Sequence, residues 1–80
     1  MNLYYLIQYD ETGYDTFDAC IVAAENEQEA RLIRPGQGDW DRATYGGTWA
    51  RRPENVKVEF IGVAASSVKP GIVLASFNAG

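Results

Sequence analysis

The pattern of apolar and polar positions reads as four strands and one short helix. Residues 2–9 (NLYYLIQY) read as a strand, with Leu3, Tyr5, Ile7 and Tyr9 on one face and Tyr4, Leu6 and Gln8 on the other. Both faces are largely apolar. That predicts a central strand covered on both sides, or one whose second face meets a partner chain. Residues 10–18 (DETGYDTFD) mark a turn through Gly13 and the acids around it. Residues 19–24 (ACIVAA) form a second strand, antiparallel to the first if the turn closes a hairpin. Its small side chains leave room for a helix to lie across it.

The helix begins at once. Asn26 is a good N-cap, and Glu29 three residues on completes a capping-box pattern. Glu27 and Glu29 sit at the positive end of the helix dipole, Arg31 and Arg34 at the negative end. Ala30 and Ile33 can face the sheet, and Pro35-Gly36 stops the helix. About two turns of helix persist only when packed. Residues 36–53 have little periodicity, and so long an irregular insert in a small domain is often functional. Residues 55–64 (NVKVEFIGVA) alternate most cleanly: Val56, Val58 and Phe60 point in, Lys57 and Glu59 point out, and Gly62 suggests a bulge. Pro70-Gly71 turns the chain into a last strand, residues 72–77 (IVLASF). The order β-β-α-insert-β-β predicts one α+β domain over residues 1–80: a small antiparallel sheet with one short helix packed on it and a long insert before the third strand.

Composition adds three constraints. Eighty residues bury only about 60% of the unfolded surface, and Cys20 stands alone, so no disulfide supports the core. Homo-oligomerisation is one remedy. Cys20 itself reads as a small buried strand residue in a reducing setting. Neither a leader nor a membrane-length apolar run is visible, so the expectation is a soluble cytoplasmic protein without membrane partners. The net charge of −4 argues against long nucleic acid. Yet residues 31–54 hold five arginines against three acids, while the remainder holds two lysines against eight acids. An acidic body with one basic segment can exclude polyanions and still bind a small anion.

That segment, RLIRPGQGDWDRATYGGTWARRP at residues 31–53, also carries both tryptophans and four glycines. Arg31, Arg34, Arg51 and Arg52 offer forked donors for phosphate, and Trp40, Trp49 or Tyr45 offers a ring for a base. The same residues read equally as solvated charges and packed rings. Tyr14, Asp15, Thr16 and Asp18 form either a self-bonded turn or a rim that reads a sugar or base edge. Ser76 and Asn78 share a strand face and could join them. Catalysis is disfavoured. The chain has no histidine, no nucleophile motif, no phosphate-loop lysine and no metal-ligand spacing, so neither metal nor cofactor is expected.

GYDTFDACIVAAENEQEAR at 13–31, the RP at 34–35, VKVEFIG at 56–62 and the terminal ASFNAG at 75–80 together resemble a family of very small phage and prophage proteins with GYDT(F/Y)D and ASFNAG motifs. The resemblance covers most of the chain except the insert. The family has His-Pro where this chain has Arg34-Pro35, so no role carries over to that position. What the resemblance implies is a phage accessory protein working in the bacterial host cell. Such proteins commonly counter host defence, by sequestering a nucleotide second messenger or by blocking a protein effector. The expectation is therefore a non-enzymatic anti-defence binding protein for a small phosphorylated nucleotide-like ligand. The alternative is an inhibitor that docks its Trp/Arg-rich insert on a host defence protein.

Overall fold

The computed structural model describes residues 1–36, 40 and 47–78. Four strands are present: β1 (Asn2–Ile7), β2 (Thr16–Ala24), β3 (Lys57–Val63) and β4 (Gly71–Asn78). One helix, α1 (Glu27–Leu32), follows β2, and a single 3-10 turn (Pro53–Asn55) precedes β3. The strands make one sheet in the order β3-β1-β2-β4, every pair antiparallel. This is the expected α+β arrangement, with the long loop between α1 and β3.

The helix starts as its sequence dictates. The Asn26 side chain accepts from the Glu29 N–H at 2.9 Å. The Glu29 carboxylate reaches back to the N–H of Glu25, one residue before the cap, at 3.2 Å. Six residues of helix bring little beyond Ala30, which is wholly buried, and Ile33, which packs against the core from the C-cap. The long loop completes the layer. Trp49 and Ala50 are wholly buried and cluster with Tyr4, Leu6, Cys20 and Val22 of the sheet. The core therefore lies on one face of the sheet, and a coil segment fills space that a longer helix would otherwise fill.

Two details depart from the alternation pattern. β2 begins at Thr16 rather than Ala19, because its first residues pair with the end of β4: Thr16 with Asn78, Phe17 with Phe77. Phe60 shares the inward register of Val58 but is 58% exposed, since the six-residue helix does not reach over it; its ring meets that of Tyr4 edge-on, centroids 5.9 Å apart. The second face of the sheet carries no covering element among the described residues. Registers across it align Lys57–Ile7–Ala19–Ser76, then Glu59–Tyr5–Ile21–Leu74, then Gly62–Leu3–Ala23–Gly71. Among the described residues no helix is long and apolar enough to cross a membrane.

Candidate functional site

The GYDT turn is held by its own polar groups. The Thr16 hydroxyl, on a buried residue, donates to the Gly13 carbonyl at 2.6 Å. The Asn78 amide donates to the same carbonyl at 3.1 Å. The Asp15 N–H donates to the Asn78 carbonyl at 2.6 Å, tying the turn to the end of β4. Asp15 adopts φ 59, a left-handed conformation that aspartate tolerates better than most residues. The result is a fixed corner from which Tyr14, 78% exposed, and the Asp15 side chain project to solvent. Thr16 and Asn78 are thus used in building the corner, and Tyr14 and Asp15 are what it presents.

Both ends of the long loop meet this corner. The Phe17 N–H donates to the Thr48 carbonyl at 2.8 Å. Gly36, at φ 85, lies so close to the Phe17 ring that a Cβ there would stand 3.1 Å from it. Phe17 in turn packs on Phe77, ring centroids 4.8 Å apart. Turn, β4 terminus and loop ends therefore share one end of the sheet. The body of the loop, including Arg42 and Tyr45, falls outside the described residues.

The arginines and tryptophans are mostly engaged within the fold. Arg31 donates to the carbonyls of Pro53 (3.3 Å) and Val56, and pairs with Glu27 one helical turn back at 3.3 Å. Arg34 is buried, with its guanidinium 5.2 Å over the Trp40 ring, and the Trp40 indole N–H donates to the Leu32 carbonyl at 3.0 Å. Trp49 is core. Arg51 binds Glu11 through both Nε (3.3 Å) and Nη2 (3.1 Å), and its N–H donates to the Asp10 carboxylate at 2.8 Å. Arg52 is exposed and forms no ion pair among the described residues. Asp18 and Ser76 stand apart from the corner residues, lining a shallow depression of about 540 Å³ with Tyr5, Ala19, Ile21 and Leu74 on the uncovered face.

Three residues that the sequence reading passed over organise this region. The Gln8 side chain is buried and donates to the carbonyls of Phe17 (2.8 Å) and Glu11 (2.5 Å), while accepting from the Glu11 N–H at 2.9 Å. Asp10 accepts from the Arg51 N–H and from the Asn55 amide, both at 2.8 Å. The Arg51 backbone bond first, and the Asn55 bond second, hold its carboxyl below the usual aspartate range. Glu11 then holds the Arg51 side chain. The one signal for Gln8 is a neutral polar residue on the apolar face of β1. Cys20 is buried, and desolvation pushes its thiol up to about 12, which makes it unreactive. Among the described residues no group of three or more His, Cys, Asp or Glu side chains could hold a metal ion.

Comparison of the chain with protein-family models, curated proteins and solved structures finds no match.

Proposed function

We propose that this is a phage-encoded anti-defence binding protein that sequesters a small phosphorylated, nucleotide-type signalling molecule without cleaving it. One observation carries the reading: the GYDT corner, fixed by Thr16 and Asn78, stands beside Gly36 and Thr48 of the Arg/Trp-rich loop and projects Tyr14 and Asp15 to solvent. Tyr14 offers a ring for a base and Asp15 an acceptor for ribose hydroxyls or a base amine. Arg52 supplies a guanidinium uncommitted to any carboxylate among the described residues. Arg31 and Trp49, in contrast, belong to the frame, and Arg34 stacks within it. Ser76 and Asp18 belong to the uncovered face.

A second reading is docking on a host defence protein. β4 favours it: an edge strand without a charged residue, exposing Ile72, Val73, Leu74 and Phe77, is suited to strand addition. Calorimetry against cyclic nucleotides and ADP-ribose derivatives separates the two. The sequestration reading expects saturable binding that Tyr14→Ala or Arg52→Ala weakens by about tenfold or more, with the circular dichroism spectrum unchanged. Absence of binding to every nucleotide in the panel would overturn it.

A further inference from the structure

The uncovered sheet face is complementary to itself, and we infer that it is the interface of a two-fold homodimer. β1 presents Leu3, Tyr5 and Ile7 on this face, whereas β2 beside it presents Ala19, Ile21 and Ala23. Large side chains thus line one central strand, and two alanines flank Ile21 on the other. A two-fold axis parallel to the strands lays β1 of one copy over β2 of the second and keeps the cross-strand rows in step. Ile7 then comes over Ala19 of the second copy, in the depression that Ala19 lines, and Leu3 comes over its Ala23, which neighbouring side chains already bury. Sheets stacked in this way lie about 10 Å apart with strands within about 30° of each other.

One pair of charges on this face fits the same operation, while Glu59 comes over Leu74 of the second copy. Apolar residues dominate β1 and β2, and the charged residues stand at the flanks: Lys57 and Glu59 on β3, and Asp18 at the bulge of β2 beside β4. The axis that sets β1 over β2 also sets β3 over β4. Lys57 lies in the row that ends at Ser76, and Asp18 lines the same depression as Ser76, so Lys57 of each copy meets Asp18 of the other twice over.

The size of the face sets the strength. Four strands about 4.8 Å apart, with six paired residues at about 3.3 Å each, present roughly 20 by 20 Å. With side-chain relief, two such faces remove on the order of 1,000 Å² from water, at the lower limit for a specific interface. An interface of that size belongs with weak, reversible associations. Burial points the same way: half-buried Tyr5, Ile7 and Ile21, and Leu74 at 65% exposed, form one apolar surface, while the main core cluster of the described residues lies on the other side and only the small Ala19 and Ala23 are buried on this one. This interface forms with or without the ligand proposed above.

Sedimentation equilibrium from about 1 µM to about 500 µM tests it. The expected result is a reversible monomer–dimer transition within that range. Leu74→Glu, an exposed position that leaves the fold intact by circular dichroism, should raise the dissociation constant by about tenfold or more. Lys57→Glu should weaken the dimer at low salt, and adding Asp18→Lys to it should restore association. A monomer throughout the range overturns the proposal and leaves the face to a different chain. A dimer indifferent to Leu74→Glu overturns the assigned face, and failure of the charge exchange to restore association overturns the assigned axis.

Discussion

Removing the Trp49 side chain separates packing from ligand stacking most sharply. The indole comes from a loop, yet it is the largest wholly buried side chain and sits among Tyr4, Leu6, Val22 and Ala30. A buried aromatic hides about 150–250 Å², so at about 25 cal/mol per Å² truncation forfeits roughly 4–6 kcal/mol. Measured Trp→Ala losses in cores run at about 3–5 kcal/mol, because the cavity partly collapses. A domain of 80 residues holds roughly 4–12 kcal/mol in all. Trp49→Ala should therefore remove about a quarter or more of the stability, and at the lower end of that range leave a chain partly unfolded at room temperature. Trp40→Ala is the matched control. That ring is half-buried, and its loss removes one indole hydrogen bond to Leu32 and the stacking on Arg34, so about 1–2 kcal/mol is expected. Urea titration followed by far-ultraviolet circular dichroism reads both without relying on tryptophan emission. A Trp49→Ala variant within about 0.5 kcal/mol of the parent would refute the core assignment, since surface substitutions fall in that band.

Two further predictions concern the ties between loop and sheet. Arg31→Met keeps the aliphatic stem but takes the Arg31 donor from the Val56 carbonyl and one of two donors from the Pro53 carbonyl, which keeps the Val56 N–H, so a loss of about 1–2 kcal/mol is expected, whereas Glu27→Gln should cost under about 0.5 kcal/mol because that pair lies at the surface; thermal melts should show the two separated by a few degrees. Asp10, held below its usual range by the Arg51 N–H and Asn55, adds stability that is present above its unfolded value of about 3.9 and lost as pH falls through its lower folded value. The stability gap between parent and Asp10→Asn should therefore shrink on acidification below about pH 4, and a gap that is constant from pH 7 to pH 3 would refute that role.

The strands and the helix were legible because each obeys a local rule. β1 is an apolar, tyrosine-rich run, β3 alternates, Asn26 and Glu29 cap, and Pro35-Gly36 ends the helical run. The uncovered face was only half legible. Two apolar faces on β1 signalled a central strand with something on each side, but period-2 patterning is indifferent to whether the second cover belongs to the same chain. The site region was least legible, because its residues are held by non-local bonds. Arg51 reaches Asp10 and Glu11 across about forty positions of sequence, and Phe17 bonds Thr48 across thirty-one. No window of sequence contains both partners. The same reason hid Gln8, whose amide bridges Glu11 and Phe17 and so sets the turn from below.

The Arg/Trp-rich segment looked like a uniform binding surface because arginine and tryptophan have two uses that composition does not separate. A sheet covered by six residues of helix leaves its core open, and a short chain must close it with coil. Irregular backbone brings carbonyls that the sheet does not serve, and arginine's forked donors reach them: Arg31 donates to the Val56 carbonyl and shares the Pro53 carbonyl with the Val56 N–H. Coil also brings no apolar face of its own, so a single large ring must fill the gap, and Trp49 does. The residue types that suit a nucleotide pocket are the ones that allow irregular backbone to act as a core layer. Discrimination comes from what each side chain is already bound to. By that criterion Arg31 and Trp49 are framework, Arg51 is clamped to Glu11, and Tyr14, Asp15 and Arg52 are the groups left facing outward. On the proposed reading, the residues to test are therefore those of the turn and the loop exit rather than the buried Trp49.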